Sequence, residues 1–488
     1  CGAANRPSAH WRFAAPHPAQ GWDGTRPAVS YGPPPPQGGA LGMHALAQYA
    51  TGDDWLTVNV WTPAPDPGAA LPVMVWIQGG AYTVGMSCLP EYDGARLARD
   101  GEVVVVTFNY RVGLEGFGQF DGAPANRGLL DQIAALEWVR DSVRAFGGDP
   151  DRVTVFGQSA GAGSVAALLA MPRAAGLFRR AVAQSVQGTF FSPELAADIT
   201  RVCAAELGRK PTASDLSTVA PAQLSAAGDA VSAAMDRWAP RWGLAAHGPI
   251  PYSPVVDGDT LPVTPWRALA EGTAADVELL VGHTRHEQRL LTALEGLLGQ
   301  VAREQAEGAL RAFAPDEAGA GDRRRYRDGF PDAGPDELYE LVRSDCLFRM
   351  PSLHLAEAHA TAGGRTHVYE LTWEAPGMDG ILGACHGLDV PLVFGNLDRG
   401  QPAALIGEAP SPGYDEAEAL SARMRAAWTG FAAHGDPGWP AYDTGRRLTR
   451  LLDGQDAQNG TPTVAPYPEE TSRLIWRDHT FPALALTR

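Results

Sequence analysis

The sequence predicts an α/β fold: a central, mostly parallel sheet flanked by helices on both faces. Three observations predict it. Short, continuously apolar runs are bounded by Gly and Pro; segments with helical spacing lie between them; and the alternation persists into the last third of the chain. Uninterrupted apolar runs belong to strands buried on both faces, as in parallel sheets.

Taken in order, the N-terminal stretch contains Gly32-Pro33-Pro34-Pro35-Pro36, which fits neither helix nor central strand, so it reads as an irregular covering segment. Leu56 to Trp61 alternates and stops at Pro63, giving a first strand. Val73 to Ile77 lies between Pro72 and Gly79-Gly80 and reads as a buried parallel strand. Glu102 to Asn109, with successive valines, reads as another. From Leu129 to Phe146 the apolar positions Leu130, Ile133, Leu136, Val139 and Val143 predict a helix, halted by Gly147-Gly148-Asp149-Pro150. A strand at Val153 to Phe156, a helix at Ser164 to Met171 and a strand at Ala181 to Ala183 follow. Later come strands at Val277 to Val281 and His367 to Leu371, and a helix at Asp415 to Ala433. Ala204 to Trp242 and Ala302 to Tyr339 are helical in composition and are expected outside the sheet, as cap insertions over a site. No linker composition interrupts the chain, so 1–488 is read as a single domain.

A net charge of −17 and a pI near 5.1 repel nucleic-acid phosphates and anionic lipid, which excludes both as expected partners. The basic run Arg323-Arg324-Arg325 sits among Gly, Asp and Pro and reads as a solvated face. Five scattered cysteines without a CxxC pair argue against a disulfide framework and a structural zinc site. No apolar run is long enough to span a membrane. The chain opens on Cys1, not Met. Cys1-Gly2-Ala3-Ala4 fits a mature lipid-anchored start, although a trimmed start is the simpler account; the expected location is cytoplasmic, with secretion or lipid anchoring left open. Asn459-Gly460-Thr461 matches a glycosylation acceptor, a single weak match.

The chemistry points to Gly157-Gln158-Ser159-Ala160-Gly161, between a predicted strand and a predicted helix. A serine on so sharp a turn projects its hydroxyl from the sheet edge. Bulky side chains two positions away would collide with strand and helix, hence glycine at both. Upstream, Gln78-Gly79-Gly80-Ala81 directly follows a strand; Gly80 and Ala81, with Ala160, are the expected backbone donors to an oxyanion. The serine needs a base and the base an orienting acid. His386, in the small-residue loop Gly383-Ala384-Cys385-His386-Gly387, is the candidate base. Glu287, after the strand at Val277 to Val281, is the candidate acid, and Asp389 is its rival. His283 and His286 raise a metal question, but their spacing is not that of a zinc motif, so hydrogen-bonding roles are expected. Tyr82, Phe190 and Phe191 are candidate pocket residues, and Met86 and Cys88 candidate entrance residues.

With these residues in view, the chain resembles the type-B carboxylesterase family. The resemblance runs through Trp22-Asp23-Gly24, Leu56-Thr57-Val58-Asn59-Val60-Trp61, Asn109-Tyr110-Arg111-Val112-Gly113, Phe146 to Pro150, Gly157 to Gly161, Phe394-Gly395 and Gly435-Asp436-Pro437. It implies the α/β-hydrolase fold, a Ser159–Glu287–His386 triad, an oxyanion hole at Gly80, Ala81 and Ala160, a small-molecule ester as substrate and no cofactor. Hydrolysis of carboxylic esters is the implied activity; carbamate or amide cleavage, acyl transfer and a non-catalytic binding role are the alternatives. Departures from the family pattern are Gln78 where His is frequent, Gln158 where Glu is frequent, His286 where Asp is usual and Trp55 where a cysteine is common. Gln78 is expected to hydrogen-bond the loop, and Gln158 to remove a charge from beside the base. The first strands of the family are expected to be short or missing.

Overall fold

In the computed structural model, residues 12–19, 21–39, 54–248, 250–315, 321–400, 402–407, 409–454 and 463–487 are described. Cys1 and the Asn459-Gly460-Thr461 acceptor lie outside them. The apolar runs become β1 (Val58–Trp61), β2 (Leu71–Ile77), β3 (Val104–Phe108), β4 (Gly148–Gln158), β5 (Arg180–Gln184), β6 (Glu278–Thr284), β7 (Thr366–Leu371), β8 (Leu448–Leu452) and β9 (Val464–Pro466). They form one sheet of order β1-β3-β2-β4-β5-β6-β7-β8-β9. β1 and β9 pair antiparallel at the two edges, and every pairing between β3 and β8 is parallel.

Strand side chains alternate between the two faces, so two cores form. Val73, Val75 and Ile77 of β2 pack on one side with Val104, Val106, Val155 and Ala183. Met74 and Trp76 pack on the other with Val105, Phe156 and Val182. There the Trp76 ring lies 4.9 Å from Phe156 and 5.1 Å from Phe394; such pairs add about 0.5–1.5 kcal/mol beyond simple burial. This architecture was legible, with differences at the edges. β4 begins inside the expected Gly-Gly-Asp-Pro stop, because Gly148 already pairs with Leu71 of β2. The two last strands, β8 and β9, were not foreseen.

The expected cap regions are helical: Pro193–Glu206, Pro221–Ser232, Arg303–Phe313, Gly321–Gly329 and Pro335–Ser344. The arginine run lies on the fourth of these, with Arg324 and Arg325 exposed. An unforeseen π-helical turn, Asp345–Arg349, joins the last helix to another at Met350–Thr361. Among the described residues, no helix is long and apolar enough to cross a membrane.

The N-terminal covering segment has a positional role. Gln37 accepts from the Gly85 amide at 2.8 Å and donates to the Gly85 carbonyl at 3.0 Å; Asn109 donates to Pro33 O and Trp55 O and accepts from Ser87 N. The covering segment thereby clamps the loop that follows β2.

Candidate active site

β4 ends at Gln158, and the helix Ala160–Ala170 begins one residue after Ser159. Ser159 itself has φ 59° and ψ −124°, a strained conformation worth about 1–3 kcal/mol that only a well-fixed surround sustains. Two bonds fix it: Ser159 N donates to Gln184 O and Ser159 O accepts from Gly163 N, each at 2.9 Å. The flanking glycines are steric necessities. A Cβ on Gly161 would stand 2.0 Å from the Ile77 carbonyl oxygen, and one on Gly157 2.7 Å from the Gly161 backbone.

Register brings the other members to the same edge. Gln158 lies opposite Gln184 of β5, and Gln184 opposite Gly282 of β6, so the carboxyl ends of β4, β5 and β6 lie side by side. Glu287 follows β6 and is fully buried. Its Oε1 accepts from Ser185 Oγ at 2.6 Å and from Thr284 N at 2.8 Å, while Oε2 meets His386 Nδ1 at 2.5 Å. Burial raises this carboxyl, but the His386 imidazole, the Ser185 hydroxyl and His283 outweigh it, so the group lies below the usual carboxylate range. With an Nδ1–H directed at this carboxylate, a neutral His386 carries its lone pair on Nε2. The Phe348 ring covers the imidazole with centroids 4.2 Å apart. His386 Nε2 faces Gln158 Nε2 at 3.0 Å. The rival acid, Asp389, accepts instead from Tyr369 OH at 2.8 Å, a local role in the loop.

The loop after β2 is wound through consecutive left-handed residues, Gly80 (φ 111°), Ala81 (55°) and Tyr82 (57°), and Gly80 O accepts from both Thr83 N and Val84 N. Among the described residues, no backbone carbonyl outside the helices and strands accepts from the amides of Gly80 or Ala81. Ala160, at the first position of its helix, has no carbonyl one turn behind it. Gln78 corrects an expectation. Its side-chain amide is buried without a hydrogen-bond partner among the described residues; the backbone carbonyl does the anchoring, accepting from Tyr110 OH at 2.7 Å.

Two cavities meet at Ser159. The larger, about 440 Å³, is mostly apolar; Ala81, Ala160, Phe191, Leu244, Leu347 and Phe348 line it. The smaller, about 210 Å³, is lined by Gly79, Gly80, Gln158, His386, Tyr92 and Leu405. Of the sequence candidates, Tyr82 and Phe191 line the larger cavity. Phe190 does not: it is fully buried with its ring edge-on to Trp266 at 5.5 Å, because adjacent residues of an extended segment face opposite ways. Met86 and Cys88 pack with Val84 and Leu89 and line neither cavity.

His283 and His286 have hydrogen-bonding roles. His283 Nε2 meets Tyr467 OH at 2.9 Å and Nδ1 meets Thr284 O at 3.1 Å; His286 Nδ1 accepts from Ala384 N at 3.1 Å, tying the acid loop to the base loop. Burial depresses them to about 4 and about 3, and depresses His354 and His479 to about 4. These imidazoles stay neutral when folded but take protons when unfolded below about pH 6.5. Unfolding therefore takes up protons between pH 6.5 and 4, and stability falls as the pH falls through that window. Glu370, which burial raises to about 7, acts in the opposite sense. The unfolding midpoint is expected to drop steadily from pH 6.5 to 4, and less steeply in a His283→Gln variant; a midpoint constant over that range would contradict this.

Two site features escaped the sequence. Ser185 sits directly after β5 with φ 58°, and its place at a strand's carboxyl end was the available signal. The Phe348 cover arises from a segment distant in sequence and left no local trace, whereas the nearness of Gln158 to His386 matches the expectation drawn from the family resemblance.

Comparison with known proteins places these features in context. The carboxylesterase family model matches residues 4–458. The para-nitrobenzyl esterase of Bacillus subtilis (strain 168) is 37% identical over 477 residues, covering 93% of this chain and 90% of that protein. The phenmedipham hydrolase of Pseudarthrobacter oxydans is 34% identical over 450 residues, covering 88% and 86%. Among solved structures, a carboxylesterase of Geobacillus stearothermophilus superposes with a TM-score of 0.82 at 34% identity, covering 97% of this chain and 94% of the other.

Proposed function

The chain belongs to the carboxylesterase family, has the α/β-hydrolase fold and is a carboxylic ester hydrolase, and from that premise we propose that Ser159, His386 and Glu287 carry out the hydrolysis through an acyl-enzyme. The observation that carries this reading is the 2.5 Å contact of Glu287 with His386 Nδ1, beside a serine held on a strained turn between two cavities.

The steps follow from the geometry. Ser159 Oγ attacks the ester carbonyl carbon while its proton passes to His386 Nε2, and the negative charge of Glu287 favours the imidazolium that forms. The carbonyl oxygen becomes an oxyanion held by the amides of Gly80, Ala81 and Ala160; loss of one such donor typically costs about 3–4 kcal/mol of transition-state stabilisation. The bond to the alcohol oxygen then breaks, and that oxygen takes the proton from Nε2. Water next gives a proton to Nε2 and attacks the acyl carbon, and Ser159 leaves with that proton. Every proton moves between groups of the chain, the substrate and water.

The leaving alcohol must depart beside the imidazole that protonates it. His386 lines only the smaller cavity, so that space receives the alcohol, and the larger apolar cavity receives the acyl group. Carbamate cleavage, acyl transfer and amide cleavage would use the same residues. The reading takes 1–488 as one domain, supported by the continuous nine-stranded sheet. It includes a cytoplasmic location, supported by the free thiols of Cys88, Cys203, Cys346 and Cys385. A panel of esters tests it. Lengthening an aliphatic acyl chain from two to about eight carbons is expected to raise kcat/KM about ten-fold or more, since each buried methylene contributes about 0.8 kcal/mol, whereas enlarging an alkyl alcohol to similar length lowers it. The reverse order would overturn the cavity assignment, and no turnover of any ester would overturn the triad.

A further inference from the structure

The hydrogen bonding around His386 contains a competitor for the base. The Glu287 carboxylate takes the Nδ1–H, which leaves one in-plane lone pair on Nε2. A single lone pair accepts one good hydrogen bond. In this structure its neighbour is the Gln158 side-chain amide, Nε2 to Nε2 at 3.0 Å, and an amide nitrogen can only donate. Gln158 is nearly buried, and its amide lies between the oxyanion loop and the base loop: a Cβ on Gly79 would lie 3.3 Å from Gln158 Oε1, and one on Gly387 3.7 Å from Gln158 Nε2. Gln158 is also among the residues that line the cavity assigned to the leaving alcohol.

We infer that Gln158 is a latch on the catalytic base: in the free enzyme its amide occupies the His386 lone pair in competition with Ser159, and catalysis requires that bond to exchange for the bond from the hydroxyl. This rests on the triad reading above and adds a positioning residue to it. No atom is transferred to or from Gln158; one N–H···N bond breaks and one O–H···N bond forms. Occupancy of the smaller cavity by an alcohol group is the event that moves the amide, because Gln158 and His386 both line that cavity. The latch sets the fraction of free enzyme whose serine is ready to react, and it acts on the neutral imidazole only, since a protonated Nε2 offers no lone pair.

The test compares the wild type with Gln158→Met, which keeps the side chain's length without a donor, Gln158→Ala, and Gln158→Glu. The probes are an alkyl fluorophosphonate for Ser159 and p-nitrophenyl acetate for turnover, each across pH 5 to 9. With the lone pair freed, labelling of the Met and Ala variants is expected to accelerate about five-fold, the worth of one ordinary hydrogen bond. The Glu variant places a carboxylate beside Nε2 and favours the protonated ring, so the acid limb of its kcat/KM profile moves up by about one pH unit or more. A purely structural role would not move the labelling rate of a natively folded Met variant. Equal or slower labelling in Met and Ala variants with native-like unfolding transitions would overturn the latch. Absence of labelling in the wild type would instead remove the triad reading on which the latch depends.

Discussion

Replacing Ser159 by alanine is expected to lower kcat by about 10⁴- to 10⁶-fold and to abolish fluorophosphonate labelling. Alanine retains the Cβ that the φ 59° position already accommodates, so the turn, its bonds to Gln184 and Gly163 and the surrounding packing persist. The loss is therefore chemical. Without the hydroxyl no acyl-enzyme forms, and the remaining rate is what substrate binding and the oxyanion donors supply to direct attack by water. That remainder is about 10³- to 10⁴-fold over the uncatalysed reaction in comparable hydrolases. The measurement is steady-state turnover of p-nitrophenyl acetate, with active-site titration to bound any wild-type contamination. A variant that retained more than a tenth of wild-type kcat would show that another group is the nucleophile.

Glu287→Gln is expected to lower kcat about 10⁴-fold, mainly through the imidazole tautomer. The two carboxylate oxygens have different tasks here. Oε1 accepts from two donors, the Ser185 hydroxyl and the Thr284 amide, so the carbonyl oxygen of a glutamine is retained there and its NH₂ is turned toward His386. Facing a donor, Nδ1 must become the acceptor, and the imidazole proton shifts to Nε2. A protonated Nε2 cannot take the Ser159 proton. KM is expected to change little, because Glu287 lines neither cavity. Nitrogen NMR of the imidazole reads the tautomer directly; an unchanged Nδ1–H form in the variant would defeat this explanation even if activity fell.

The strands were legible because burial on both faces imposes a local composition, which the valines of β3 and the bounded run of β2 display openly. β8, Leu448-Thr449-Arg450-Leu451-Leu452, escaped because Thr449 and Arg450 break the apolar run, and Arg450 is accommodated by an edge contact to Thr463 O. Ser159, Glu287 and His386 could be proposed from the sequence because Ser159 and Glu287 follow predicted strands and His386 lies in a loop of glycines and small residues. Direction was harder: Phe191 faces the larger cavity and Phe190 the core, and sequence alone did not separate them. The Gln78 amide was expected to hold its loop, yet the anchors are the Gln78 backbone carbonyl and Gln37, from a segment that read only as a cover. Contacts set by the meeting of distant segments, such as Ser185 with Glu287, 102 residues apart, have no periodicity to reveal them.

Ser159 and Glu287 follow β4 and β6 closely and His386 lies on a loop well beyond β7, whereas Leu244, Leu291, Phe313 and Leu347, in the wall of the larger cavity, come from the inserted helices and their turns. Under the proposed triad and acyl-cavity assignment, diet and reactivity are inherited on different parts of the molecule. On that reading, natural drift or directed evolution confined to those wall positions retunes which acyl groups are accepted, while the Ser159, Glu287 and His386 constellation keeps its speed.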